Sequence, residues 1–385
     1  MTSFRRAFLI TFFISLGLVI AFGGGYALRL WQDRSSQFAL FNEAYSILRD
    51  HAYNPLPTAP AIEYGMIRGM LQAYGDPHTS FLEPPQAELQ SNDLAGKFGG
   101  IGVRIGTDEA GNYVMYPFPD SPAAKAGIRD QDRLIGVDAL EITPQTSMEA
   151  LQSAVRGKVG EAVLIRVARP PADEVIEFSV TREEIAVPSV TWHLEANAPR
   201  LGVIEVNLIA EPTAGEIEKA AQDLQERGAA ALALDLRNNG GGLLDSGIKI
   251  ARLFLKEGVI MEYQARGESV KSYTVDKAGA LSDIPLVILV NGGTASASEI
   301  IAGALQLHRR ALLIGEPTYG KNTIQYVYTL KDQSSLHVTA AQWWIPGLDA
   351  PRPGKGLTPD IPTAPGGPPD PLIQAAIQAL QDALK

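Results

Sequence analysis

The spacing of apolar and polar positions changes character several times along the chain. From Ala7 to Leu28 there are 22 residues without a charge, with Arg5 and Arg6 before them and Arg29 after. As a helix this run reaches about 33 Å, enough for a hydrocarbon core of roughly 30 Å. The basic start predicts a signal anchor over residues 1–31, or a signal peptide and secretion if the segment is cleaved, with the remainder outside the cytoplasmic or thylakoid membrane. Ala21-Phe22-Gly23 and Gly25-Tyr26-Ala27 are marginal cleavage sites, which favours the anchor.

Residues 32–94 read as a helical module of short helices and loops, with Phe38, Phe41, Ala44, Tyr45 and Leu48 at three- and four-residue spacing. Within it Gly75-Asp76-Pro77-His78-Thr79-Ser80 is a turn-prone cluster, and Pro84-Pro85 closes the module. Residues 95–185 switch to period-two alternation, as in Gly102-Val103-Arg104-Ile105 and Arg133-Leu134-Ile135-Gly136-Val137, and predict a β-rich domain. Beyond Val187 the strands become continuous apolar runs, Leu201–Val206, Ala230–Leu236 and Leu286–Val290, separated by helical stretches. Such runs are strands buried on both faces, and their alternation with helices predicts an α/β core over 186–364. A hairpin, Thr323–Leu330 with Ser335–Ala341, precedes a Pro-rich segment, and an amphipathic helix ends residues 365–385. No internal repeat is found.

Composition narrows the chemistry. A length of 385 residues, 45% hydrophobic and 20% charged, fits two or three globular domains and excludes wholesale disorder, collagen and coiled coil. Acidic residues outnumber basic ones by 43 to 33, and the net charge of −10 removes nucleic acid from the partners, because phosphate neutralisation needs clustered Lys and Arg. There is no cysteine. Thiolate catalysis, disulfides and Cys-ligated metals are thereby eliminated.

Four constellations carry candidate chemistry. Asp235-Leu236-Arg237-Asn238-Asn239-Gly240-Gly241-Gly242 ends a buried strand, and its glycines let backbone N–H groups approach a ligand or an oxyanion. It lacks the spacing of a phosphate loop or a dinucleotide fingerprint. Asn291-Gly292-Gly293-Thr294-Ala295-Ser296-Ala297-Ser298-Glu299 joins a strand to an apolar helix. Ser296 with Glu299 makes a capping box, and the same geometry sets a hydroxyl beside the free N–H of Ala297. In Gly315–Gln325 the alternation puts Lys321, Thr323 and Gln325 on one face of a strand that Lys321 opens. A buried neutral lysine can serve as base to a serine. None of His51, His78, His193, His308 and His337 sits in a triad pattern, so a Ser-His-Asp arrangement is the weaker alternative. Finally, Phe98-Gly99-Gly100-Ile101-Gly102 precedes a strand, and the consecutive N–H groups of such a loop can capture a C-terminal carboxylate.

Together with Ser121-Pro122-Ala123 and Gly356-Leu357-Thr358-Pro359-Asp360-Ile361, these segments resemble the C-terminal (tail-specific) processing peptidases, Ser-Lys proteases of family S41 that carry a PDZ domain. The resemblance implies an α/β (α+β multidomain) fold, with a ClpP/crotonase-like α/β protease core and an inserted PDZ-like domain. It implies Ser296 as nucleophile, Lys321 as general base, Gln325 as the residue positioning the lysine, and Ala297 with Gly242 as oxyanion donors. Phe98–Gly102 becomes the PDZ carboxylate loop for proteins with apolar C-termini. Neither metal nor cofactor is implied. Ser298 is a rival nucleophile, but the family's spacing to the glutamate favours Ser296. Two positions depart from the family: Tyr319 replaces the usual phenylalanine, and Asn322 the glycine that usually follows the lysine. A non-enzymatic PDZ adaptor would lack an intact Ser296, Lys321 and Gln325, and a hydratase would need a cofactor-thioester site that the sequence does not suggest.

Overall fold

The computed structural model describes residues 2–36, 38–108, 110–143, 145–349 and 354–385. The chain divides into two compact units, 1–70 and 71–385. In the first, helices span Thr2–Ser36, Ala39–His51 and the greater part of Ala59–Tyr74. The helix Ala39–His51 stacks Phe41 on Tyr45, and among the described residues neither it nor Ala59–Tyr74 buries a side chain. Among the described residues no helix is long and apolar enough to cross a membrane. The anchor expected over 1–31 falls in Thr2–Ser36, and many of its side chains, at 2–7, 9–11, 27 and 30–31, lie outside the described residues.

The second unit contains two sheet systems and a β-rich module. In the module, strands Val103–Thr107, Tyr113–Pro117, Asp132–Val137, Ala162–Arg169 and Glu174–Thr181 follow one another in an antiparallel sheet, with Leu140–Glu141 paired to Asp132–Val137. Ile101, Met115, Leu134, Leu151, Ile165 and Val167 fill its core. Two serine-capped helices complete it: the Ser121 hydroxyl accepts from Ala124 N–H and starts Pro122–Ala126, and Ser147 accepts from Ala150 N–H and starts Met148–Val155. The segments entering and leaving the module, Lys97–Gly100 and Glu183–Ala186, pair antiparallel.

The α/β core is a six-stranded sheet in the order Val190–Glu195, Ala198–Val206, Ala231–Asp235, Leu286–Val290, Leu312–Gly315 and Ile361–Pro362, parallel after the first pair. Alternate residues of one strand serve opposite faces. Leu232, Leu234 and Ile288 pack with Ile217, Phe254 and Ile301 from three helices, while Ala231, Ala233 and Val287 pack with Leu372 and Ala376 of the C-terminal helix. Burial on both faces is why these strands read as unbroken apolar runs.

A second sheet is built around one long strand. Ser335–Trp344 pairs with Thr323–Thr329 on one edge and with Ser80–Leu82 and Val259–Ala265 on the other. Ser80–Leu82 corrects the reading of 32–94 as helices and loops only. A three-residue strand is set by its partner Ser335–His337, not by a local pattern.

Candidate active site

The parallel strand Leu286–Val290 feeds through Asn291–Ala295 into the helix Ala297–Leu307, and Ser296 occupies the junction at φ 57° and ψ −120°. This is a costly conformation for a residue with a Cβ, of order 1–3 kcal/mol, and it survives only where the surroundings fix it. Glu299 is one such constraint, because its Oε2 accepts the Ser296 N–H at 2.9 Å. The Ala297 N–H opens the helix and has no partner within the helix itself.

The glycine turn after Ala231–Asp235 packs against this junction. A Cβ on Gly241 would lie 3.0 Å from both Ala297 N and Ser296 Cβ. Gly242 forms a parallel bridge with Ile209 through the Gly241 carbonyl and the Leu243 N–H, at 3.1 and 2.8 Å, which does not consume the N–H of Gly242 itself. Asn239, which the sequence reading did not single out, ties the two loops together. Its side chain is buried, donates to Val206 O at 2.6 Å, and accepts from Gly241 N–H at 2.9 Å and from the Ser298 hydroxyl at 2.8 Å; its carbonyl accepts the Ala295 N–H at 3.0 Å. Ser298, fully buried with its hydroxyl committed to Asn239, therefore sits in a structural contact.

Lys321 lies two residues before Thr323–Thr329, not within the strand as the alternation suggested. Its backbone is held instead by Glu299, whose Oε2 accepts the Lys321 N–H at 2.9 Å. The other oxygen takes the Gly320 N–H at 2.7 Å and the Thr318 hydroxyl at 2.6 Å. Burial pushes the Glu299 carboxyl above its usual range, and these four donors counter that shift. The sequence showed Glu299 only as a helix cap; its reach to residues 318–321 has no local signature.

The Lys321 Nζ donates to Gln325 Oε1 at 2.7 Å, and Gln325 Nε2 donates in turn to the carbonyl of His78. The Gly75–Ser80 cluster thus holds the amide that holds the lysine. Asp76 braces that turn, accepting from His78 N–H at 3.1 Å and from the Thr79 hydroxyl at 2.5 Å. A register shift between Ile324 and Gln325 leaves Ala340 unpaired opposite them, a bulge of the kind that re-aims a side chain beside a site. Burial pulls the Lys321 ammonium below its ordinary pKa, partly opposed by Asp76. Burial also lowers the His337 imidazole, and Lys321 lowers it further.

Ser296, Ala297, Gly242, Lys321 and Gln325 all line one cavity of about 490 Å³, walled on its apolar side by Leu208, Leu244, Ile300, Ile324 and Trp343. Phe98–Gly102 is apart from it, in the β-rich module. Phe98, Gly99 and Gly100 belong to a strand, and only Ile101 and Gly102 lie in the irregular link to the next one. Gly99 is needed for close approach, since a Cβ there would lie 2.0 Å from Gly157 O, whereas Gly102 adopts φ +68°. The Phe98 ring lies beneath the Arg156 guanidinium at 3.9 Å. Among the described residues no cluster of metal-ligating side chains is found.

A strained serine at a helix N-terminus, a half-buried lysine in the same cavity and a small antiparallel module define a serine-type endopeptidase, and the chain belongs to peptidase family S41, whose model matches residues 200–363, with a PDZ-domain model matching 113–169. Within that family its relatives are carboxyl-terminal processing proteases. A carboxyl-terminal-processing protease of Picosynechococcus sp. is 39% identical over 74% of this chain and 69% of its own length. A carboxy-terminal-processing protease of Bartonella bacilliformis is 32% identical over 86% and 76%. A solved photosystem II D1 C-terminal processing protease is 32% identical, covers 84% of this chain and 86% of that one, and superposes at a TM-score of 0.45.

Proposed function

We propose that this protease cleaves near protein C-termini by a Ser-Lys mechanism through an acyl-enzyme. The observation that carries the reading is the lysine: Nζ is half-buried, lowered in pKa by that burial, and directed by Gln325 in the cavity that Ser296 also lines. Neutral Lys321 takes the Ser296 proton as Oγ bonds to the scissile carbonyl carbon, and the oxyanion rests on the N–H groups of Ala297 and Gly242. The C–N bond then breaks, with the proton passed from Lys321 to the leaving amine, and water releases the acyl group with the same lysine as base.

Substrate selection belongs to the 95–185 module and chemistry to the 186–364 core. Among the described residues Val103–Thr107 ends its sheet with one edge unpaired, so an incoming C-terminal segment can add as a strand while Phe98–Gly102 meets its carboxylate and its apolar last residues pack beside them. The uncharged 7–28 run flanked by arginines supports an extracytoplasmic location, with residues 1–31 inserted in or directed across the cytoplasmic or thylakoid membrane. The test uses a peptide with an apolar C-terminus. Ser296→Ala and Lys321→Ala, each shown to be folded, are expected to lose cleavage by at least about 10³-fold; near-normal turnover in either overturns the assignment.

A further inference from the structure

The proposed base is steadied from outside the catalytic cavity. Asp76 is not among the residues that line it. Its two oxygens accept the His78 N–H at 3.1 Å and the Thr79 hydroxyl at 2.5 Å, and the Thr79 oxygen in turn accepts the Thr339 N–H at 3.2 Å. Thr339 is the residue opposite Gln325 in the strand pair. The turn is therefore locked to the strand across from the amide it has to meet, and its His78 carbonyl accepts from Gln325 Nε2 while Gln325 Oε1 accepts from Lys321 Nζ. A carbonyl can be met only by the NH₂ end of an amide, which leaves the oxygen to face the lysine. The orientation of Gln325 thus follows from the turn, and the turn from Asp76.

We propose that Asp76 is a positioning residue for the general base, fixing through the 76–79 turn the carbonyl that orients Gln325, and that its carboxylate is the counter-charge against which the Lys321 ammonium is held. This inference rests on the Ser-Lys reading and adds to it the group that sets the working pH of the base. Burial favours the neutral form of Asp76, but the donors gathered on it outweigh burial and hold its carboxyl below the usual range, so it is anionic wherever a lysine titrates. On Lys321 two influences oppose each other: burial lowers the pKa and Asp76 raises it. The other titratable groups around the pair are engaged elsewhere. Glu299 Oε2 takes the N–H groups of Ser296 and Lys321, and Asp93 in the cavity wall is ion-paired with Arg156 at 3.1 Å. His337, on the strand Ser335–Trp344, has its pKa lowered by burial and by Lys321, and His78 faces Asp76 from the same turn. The Asp76 anion keeps Lys321 a stronger base than burial alone would leave it, and proton abstraction from a serine hydroxyl gains from that basicity.

The experiment records pH profiles of kcat and KM for the full-length chain on a peptide with an apolar C-terminus. Asp76→Asn keeps the shape of the side chain and can keep both bonds of the turn, but removes the charge. The midpoint of the rising limb is expected to fall by roughly 0.5–1 pH unit, and the plateau above it by about threefold, since a weaker base is deprotonated sooner and abstracts less readily. That midpoint does not depend on how much of a preparation is folded, and a merely structural role would leave it in place. Asp76→Ala removes the acceptors of the turn as well, and kcat should fall about 10- to 100-fold with KM within roughly threefold of the wild type. An unmoved midpoint in Asp76→Asn, or a wild-type kcat in Asp76→Ala, overturns the proposal. Lys321→Ala is assayed in parallel: if it still cleaves, the Ser-Lys reading itself fails, and if it is inactive while the Asp76→Asn midpoint stays in place, only the role of Asp76 fails.

Discussion

One oxygen of Glu299, Oε2, accepts the backbone N–H of Lys321 at 2.9 Å while also holding the N–H of Ser296 at 2.9 Å. The loop of the proposed nucleophile and the loop of the proposed base are therefore registered against each other by a single buried carboxylate. Replacement by glutamine keeps the shape but turns an NH₂ toward N–H donors. Glu299→Gln is expected to lower kcat/KM at least about tenfold and stability by roughly 1–3 kcal/mol, the range for buried donors left unmatched. Peptide cleavage together with denaturant unfolding checks both, and unchanged values in both would show that the carboxylate is dispensable.

The two serines of the junction separate by substitution. Ser298→Ala removes one bond to Asn239, whose Oδ1 still holds the Gly241 N–H. Stability should fall by about 1 kcal/mol and activity should stay within roughly tenfold of the wild type. If Ser298→Ala were as inactive as Ser296→Ala, the choice between them would have to be reopened.

The pH dependence follows from Lys321. Its folded pKa lies below the ordinary lysine value because burial disfavours the ammonium, and the base must be neutral to act. Activity should rise with pH through the lowered pKa and level off above it. Between that pKa and the unfolded value of about 10.4 the unfolded chain binds more protons than the folded one, so this group makes stability increase with pH across that window. At neutral pH, Lys321→Met is accordingly expected to raise the melting temperature while removing at least about 10³-fold of activity. A lower melting temperature for a folded Lys321→Met would show that the lysine is not a net burden on the fold.

Within the glycine turn, Gly242 has no room for a side chain. A Cβ on Gly242 would lie 2.1 Å from the Ile209 carbonyl oxygen, at φ +152°. Gly242→Ala is expected to lose about 3 kcal/mol or more, by displacing backbone that cannot yield. Thermal unfolding measures this, and a variant as stable as the wild type would mean that the Ile209 bridge is not held as described.

Substrate amidation probes the other module. Converting the C-terminal carboxylate of a peptide to an amide removes the charge that Phe98–Gly102 is proposed to receive. The expected loss is roughly tenfold in kcat/KM, expressed mainly in KM; equal kinetics for acid and amide would place recognition elsewhere.

Much of this protein is written locally. Continuous apolar runs at 201–206, 230–236 and 286–290 specify doubly buried strands, since a strand between two helical layers needs apolar residues on both faces. Ser296 with Glu299 three residues on marks the start of a helix, and the glycines at 240–242 mark a turn, because caps and positive φ act within a few residues. Tertiary structure alone decided what those local pieces meet. Gln325 reaches the His78 carbonyl across 247 positions, and Asn239 meets Ser298 across 59. Glu299, legible as a cap, reaches Thr318, Gly320 and Lys321 only once a second strand-to-loop segment is folded beside its helix. Even the strand Ser80–Leu82 exists through its pairing with Ser335–His337. Hydrogen bonds between distant segments leave no period in the sequence. The residue types of the site could therefore be read in advance, while the contacts that hold the lysine and the strained serine in one cavity came from the packing of two sheets.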